Sequence, residues 1–264
     1  MSGCRSLWRR SVAEKVALDP LTPEAVAAHL APIIDRLRLA VARRTMQLSA
    51  AAGLIESAGL DKAAFQLLLM LRNAYPSRTV TQPQLGAPFT YQAPGTATRL
   101  IGQLVEAQLL EEVTDGSWRL SQSGRDLMGR LHLAGTEAVT ELWGTGGSPA
   151  TSALPLVDRA LVAAALSGGP GFALMTPTYD APGASTEVKL SERLAGLRFH
   201  RFDAHVASWT GAGLTADAVK ALSPGTERAS IEQETNRRAG AAYQALDPGE
   251  RLELVAGLEA LPGS

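Results

Sequence analysis

Cysteine is nearly absent. Cys4 is the single one among 264 residues, so no intramolecular disulfide can form and no zinc or iron–sulfur site can rest on clustered thiolates. A cytoplasmic setting is expected rather than a secreted one. Long apolar runs are lacking as well: the longest stretch of small apolar residues, Ala160 to Leu166, falls far short of the roughly 20 needed to span a bilayer. Met1 to Pro20 carries basic residues with no apolar block behind them, so neither a targeting segment nor a membrane partner is expected. The chain also has no internal repeat and no low-complexity tract. What it does have is 45% hydrophobic residues, ample for a core, in a length that suits one large domain or two small ones at about 150 residues each.

Charge is balanced overall, 25 Lys and Arg against 26 Asp and Glu, but it is unevenly laid out. Residues 1–60 hold 8 basic and 5 acidic side chains, residues 61–131 hold 7 and 6, and residues 132–264 hold 10 and 15. A positive front would suit contact with nucleic acid, because phosphate attraction supplies the sequence-independent part of such binding. Ordinary surface charge that partitions unevenly explains the same bias.

Local signals divide the chain further. Thr22-Pro23-Glu24 reads as a helix start, with a hydroxyl cap, proline at the first helical position and an acid in the first turn. The helix it opens carries Val26, Leu30, Ile33, Leu37 and Val41 at spacings of three and four, and Pro32 is expected to bend or split it. Gly53 and Gly59 bracket a connection, after which Lys62 to Asn73 is apolar nearly all round, as a buried helix is. Thr79 to Gly86 suits a short helix, and Thr96 to Leu110 a strongly amphipathic one. Asp115-Gly116 between Glu111–Val113 and Trp118–Leu120 predicts a tight hairpin. Ser121 or Ser123 then caps a helix striped by Leu127, Leu131, Ala134, Ala138 and Leu142. Gly144 to Pro149 is the clearest linker. Beyond it, helices are expected near 152–166, 186–210, 215–222, 226–246 and 247–261, the last opened by a capping box at Asp247-Pro248-Gly249-Glu250. Ser167 to Ser185, rich in glycine and proline, reads as a surface loop.

Helices followed by a hairpin and a further helix across 61–143 predict a winged helix-turn-helix, whose third helix faces outward beside the hairpin. On the helix 96–110, Leu100, Ile101, Leu104, Val105 and Gln108 gather on one side. Arg99, Gly102, Gln103 and Glu106 gather on the other, with Thr96 and Thr98 at its flanks. Arg and Gln offer paired donors or acceptors to base edges, which is what a major-groove reader requires.

Thr96 to Glu111, the hairpin, and then Leu120-Ser-Gln-Ser-Gly-Arg125 together resemble the recognition helix, wing and helix entry of MarR-type transcriptional regulators. The resemblance covers residues 24–143 and implies that Thr96, Thr98, Arg99 and Gln103 read DNA from the recognition helix while Ser117 and Arg119 do so from the wing. It also implies a homodimer built by the helices at 23–52 and 121–143, setting two recognition helices about 34 Å apart on double-stranded DNA. The same helices would equally serve simple packing within one chain. The family usually carries Asp-x-Arg at the wing tip, where this hairpin reads Asp115-Gly-Ser-Trp-Arg119, and its chains usually end near the helix after the wing.

Enzyme motifs are weak by comparison. Ser167-Gly-Gly-Pro-Gly171 is the nearest approach to a phosphate-cradling turn, but it follows a helix-like segment rather than a strand. Phe199 to Trp209 holds His200, Asp203 and His205, which one helical face cannot present together. A surface His200–Asp203 pair is expected, with His205 packed among Phe202, Val206 and Trp209. Glu232 with Asn236, and Glu234 with Arg238, read as helix-surface support.

The expected molecule is therefore mainly α: a dimerisation segment over 1–60, a winged helix-turn-helix with a small β-hairpin wing over 61–143, a linker at 144–150 and an α-helical C-terminal domain over 151–264. Its expected role is DNA-binding transcriptional regulation, with the C-terminal half sensing a small-molecule effector or contacting a partner, and no enzymatic activity, metal or cofactor. Two other readings stand beside it: a winged helix that contacts protein without binding DNA, and a helical enzyme or metal-dependent domain around His200, Asp203 and His205.

Overall fold

Helix α1, Pro23–Gln47, starts where its cap predicts, with the Thr22 hydroxyl accepting from the Ala25 amide. The computed structural model describes residues 21–48, 53, 54 and 59–263. Cys4, the basic segment before Pro20 and most of the connection between Gly53 and Gly59 lie outside those residues. Pro32 neither splits nor ends α1. The proline is exposed, so the carbonyl it leaves without a helical donor faces water.

The chain continues as α2 (Lys62–Met70), a 3₁₀ turn (Leu71–Ala74), β1 (Val80–Thr81), α3 (Gln82–Gly86), a second 3₁₀ turn (Ala87–Phe89), α4 (Thr96–Glu106), β2 (Leu110–Thr114), β3 (Ser117–Leu120) and α5 (Gln122–Trp143). The strands form one antiparallel sheet in the order β1-β3-β2, with Val80 opposite Trp118 and Leu110 opposite Leu120. Where a short helix was expected from Thr79, a strand precedes it, and α4 stops at Glu106 rather than Leu110. Gln108 takes a left-handed conformation that turns the chain into β2. Val105, expected on the inward face, is exposed.

Six more helices and one 3₁₀ turn make up the rest of the described residues: α6 (Ser148–Ala164), α7 (Pro170–Met175), α8 (Thr186–Gly211), α9 (Ala216–Ala221), α10 (Thr226–Gly240) with its 3₁₀ extension (Ala241–Ala245), and α11 (Pro248–Glu259). The capping box that opens α11 forms as expected, Asp247 and Glu250 each accepting the other's backbone N–H. The molecule is thus mainly helical with a small three-stranded antiparallel sheet.

Two buried clusters organise it. One joins Val26, Leu30, Ile34 and Leu37 of α1 to α6, α8, α11 and the end of α5. The apolar stripe of α1, a helix to which the resemblance assigns a dimer contact, is therefore covered by the chain's own C-terminal helices. The other cluster gathers α2, α4, the sheet and the first half of α5 around Leu68, Leu104 and Leu120, and it takes in Leu174 and Met175 of α7.

That last contribution corrects the reading of Ser167–Ser185 as a surface loop. α7 lies inside the molecule, and each end of it is held by a side chain from elsewhere. At its start the Asp203 carboxylate accepts from the amides of Gly169, Gly171 and Phe172 at 3.0, 3.1 and 2.7 Å. At its end the Arg78 guanidinium donates to the carbonyls of Ala173, Leu174 and Thr176, and the Asn73 amide to that of Met175. A helix of six residues cannot satisfy its own ends, so these bonds supply what it lacks.

Candidate functional site

The outward face of α4 is set by burial of its opposite side. Leu100, Ile101 and Leu104 enter the core, and Thr98 and Arg99 stand exposed, with Thr96 and Gln103 half-buried beside them. Nothing would crowd a side chain at Gly102. Asp61, which caps α2 through the Ala64 amide, also reaches across to this face. Its second oxygen accepts from Arg99 at 3.4 Å and from Gln103 at 3.2 Å. The Ala64 amide, and after it Gln103 and Arg99, hold the Asp61 carboxyl below the usual range. Thr96 bonds back to the Ala93 carbonyl. On the hairpin, Arg119 pairs with Glu111 across the strands and Ser117 meets Thr114. The six residues expected to touch DNA are thus brought to two neighbouring elements.

Charge on this surface differs from what the sequence suggests. Of the seven basic residues in 61–131, Arg78 lies against α7 and Arg72 pairs with Glu192 of α8 in a mostly buried bridge. Five basic residues then face outward, against six acidic ones of which none is buried.

His200, Asp203 and His205 do not share a site. His200 is buried, 3% exposed, and bonds Ser167 at 3.0 Å. Burial pushes its pKa down to about 4. Asp203 turns instead to α7, so the expected surface His–Asp pair does not form. Burial raises the Asp203 carboxyl above its ordinary pKa, opposed by the three amides. His205 bonds the hydroxyl of Thr235 at 3.1 Å through Nδ1. Glu232 and Asn236, read as surface support, both bind Arg201, while Glu234 pairs with Arg238 as expected. Of the other histidines, His29 pairs with Glu259 on the surface and His132 bonds the Arg72 carbonyl. Among the described residues no group of His, Cys, Asp and Glu could hold a metal ion.

A cavity of about 430 Å³ opens between α1, α8 and α10, within the roughly 300–1,000 Å³ of small-molecule sites. Ile34, Leu197, Phe202 and Ala239 give it apolar walls, and Tyr243 and His205 bring polar atoms. Pro88 and Tyr91, from the connection between α3 and α4, close one side. Tyr91 is fixed there by α8: its hydroxyl accepts from the Trp209 indole at 2.9 Å, and its ring lies 5.6 Å from Phe202 and 6.2 Å from His205. Sequence reasoning missed this cavity because its walls are ordinary core residues drawn from distant segments. The aromatic residues Phe199, Phe202 and Trp209 at helical spacing were visible, but not what they face.

Comparison with protein families, with curated proteins and with solved structures found no match. Among the described residues no helix is long and apolar enough to cross a membrane.

Proposed function

We propose that the protein is a DNA-binding regulator whose α2–β3 region is a winged helix-turn-helix and whose helical C-terminal half carries an effector cavity. Support for the first part comes from element order and pairing. Helix, strand, two helices and two strands, with β1 pairing to the far strand of the hairpin, is the arrangement in which a third helix is offered to the major groove beside a wing. Arg99, Gln103, Thr96 and Thr98 would then meet bases and phosphates from α4, and Ser117 and Arg119 from the hairpin.

The observation that carries the regulatory part is the position of Tyr91. Five residues before α4 begins, it lines the cavity and is clamped by α8. A ligand that prefers one placement of Tyr91 would bias the placement of α4, which is all that population shift demands. A second copy is not needed to bury α1, so the reading does not depend on a dimer.

One observation favours contact with protein instead: both arginines on the reading surface, Arg99 and Arg119, already have carboxylate partners. The two readings separate on duplexes selected from a random pool and titrated at two salt concentrations. Arg99→Ala should cost about 1–3 kcal/mol at a selected site, and Arg119→Ala should weaken all sequences alike. Asp61→Asn keeps an acceptor for the α2 cap while removing its charge, and should tighten binding. With five basic residues outward the salt dependence should be shallow. Failure to select any site, or Arg99→Ala binding as the parent does, would move the protein-contact reading to first place.

A further inference from the structure

The cavity beside Tyr91 has a built-in preference in its charges. Arg198 is paired with Asp35, and Arg201 with Glu232 and Asn236. Every charge at its rim is therefore matched, and an ionic ligand would lose its hydration with no counter-charge to meet it.

Its hydrogen-bonding groups are unevenly committed. Thr235 donates its hydroxyl proton to the Ile231 carbonyl, so it can only accept from His205, and Nδ1 of His205 must carry the proton. Burial lowers the His205 pKa, which leaves the ring neutral with Nε2 as an acceptor. Tyr91 accepts from Trp209 and keeps its own proton to give. Tyr243 is the exceptional one. It is 4% exposed, it lines the cavity, and its hydroxyl has no hydrogen-bond partner among the described residues. Burial raises its pKa, so it stays a phenol and a donor. The hydroxyl opens onto the cavity and is not sealed in the core, so its proton is available to a ligand acceptor seated there.

We infer that the cavity takes an uncharged, largely apolar molecule bearing a carbonyl acceptor, which the Tyr243 hydroxyl grips while the rest lies against Ile34, Phe202 and the Tyr91 ring. The inference rests on the reading of this cavity as the effector site, and it names the ligand class.

The test uses prodan, a neutral naphthalene ketone whose emission reports both apolar surroundings and hydrogen bonding to its carbonyl, with the anionic 8-anilinonaphthalene-1-sulfonate as contrast. The full chain should bind prodan with a blue shift and the sulfonate at least about tenfold more weakly. Tyr243→Phe should weaken prodan about three- to tenfold, as expected for one hydrogen bond, without lowering the thermal midpoint, because the lost bond is to the ligand alone. Ala31→Leu, which narrows the cavity, should abolish binding; if it destabilises the chain, the isosteric Tyr243→Phe carries the test. Equal affinity for the sulfonate, an unchanged affinity in Tyr243→Phe, or failure of both prodan and benzophenone to bind would overturn the inference. Binding is measured without DNA, so a chain that takes prodan but selects no duplex would refute the regulatory reading and leave this one standing.

Discussion

Removing the Asp203 carboxylate should be among the most damaging single changes in the chain. It supplies all three side-chain bonds to the start of α7, two through Oδ2 to Gly169 and Phe172 and one through Oδ1 to Gly171. Charge-assisted bonds contribute about 1.5–3 kcal/mol each, but the three share one buried carboxylate whose desolvation offsets part of the gain. For Asp203→Ala a loss of about 3–5 kcal/mol follows, since three amides are left without acceptors and the neighbouring glycines keep the backbone close to the vacated space. A chain of this size loses about 2–4 °C in Tm per kcal/mol, so the midpoint should fall by roughly 6–20 °C. Asp203→Asn is the informative comparison. Its carbonyl oxygen can replace Oδ2 and keep the Gly169 and Phe172 bonds, while its NH₂ faces the Gly171 N–H donor to donor, giving about 1–3 kcal/mol. Urea unfolding followed by tryptophan fluorescence suits the measurement, because Trp143 and Trp209 are buried. Hydrogen exchange at Gly169, Gly171 and Phe172 reports the bonds directly. A loss below about 1 kcal/mol in Asp203→Ala, or Asn falling as far as Ala, would refute the account of α7 as a helix held by its ends.

Arg78→Met should cost about 3–5 kcal/mol by the same argument at the other end of α7, and its effect should not add to that of Asp203→Ala, because either change releases the same helix; simple additivity in the double variant would count against this. His200 sets an acid limit. Held near about 4 in the folded chain against about 6.5 unfolded, it binds its extra proton only in the unfolded state between those values. Its contribution is therefore complete above about pH 6.5 and is lost as pH falls toward 4, by up to about 3 kcal/mol. His200→Gln should flatten that limb of stability against pH, and parallel curves for the two proteins would argue otherwise.

Features set by adjacent residues were the most legible. The Thr22-Pro23-Glu24 start of α1, the Asp247 capping box and the Asp115-Gly116 hairpin each depend on residues within a few positions of one another, where short-range physics decides. On the helix expected over 96–110, by contrast, Leu100, Ile101 and Leu104 face inward as expected and Val105 and Gln108 do not. Pro32 does not split α1, because the cost of proline depends on whether the freed carbonyl faces core or water, and only packing says which. The segment 167–185 misled for a related reason. Its glycine and proline content is that of a loop, and α7 exists because Asp203 and Arg78, each more than thirty residues away in sequence, satisfy its ends. The glycines there serve closeness: a Cβ at Gly171 would come within 2.8 Å of Asp203 and 2.9 Å of Phe199.

Charge was the least transferable of the local signals, and it bears most on function. Counting residues made 61–131 slightly basic, and that count assumed every arginine faces water. Arg78 is instead a helix cap and Arg72 an internal bridge, so the outward charges of 61–131 are slightly acidic on balance, and Arg99 and Arg119 are already paired. Non-specific attraction to phosphate is correspondingly small. If the protein reads DNA it must gain its affinity from base contacts and from exchanging Asp61 and Glu111 for phosphate. That makes the charge-removing variant Asp61→Asn more discriminating than any further loss of a basic residue: a DNA reader gains affinity from it, whereas a partner surface that uses the Asp61 charge loses it.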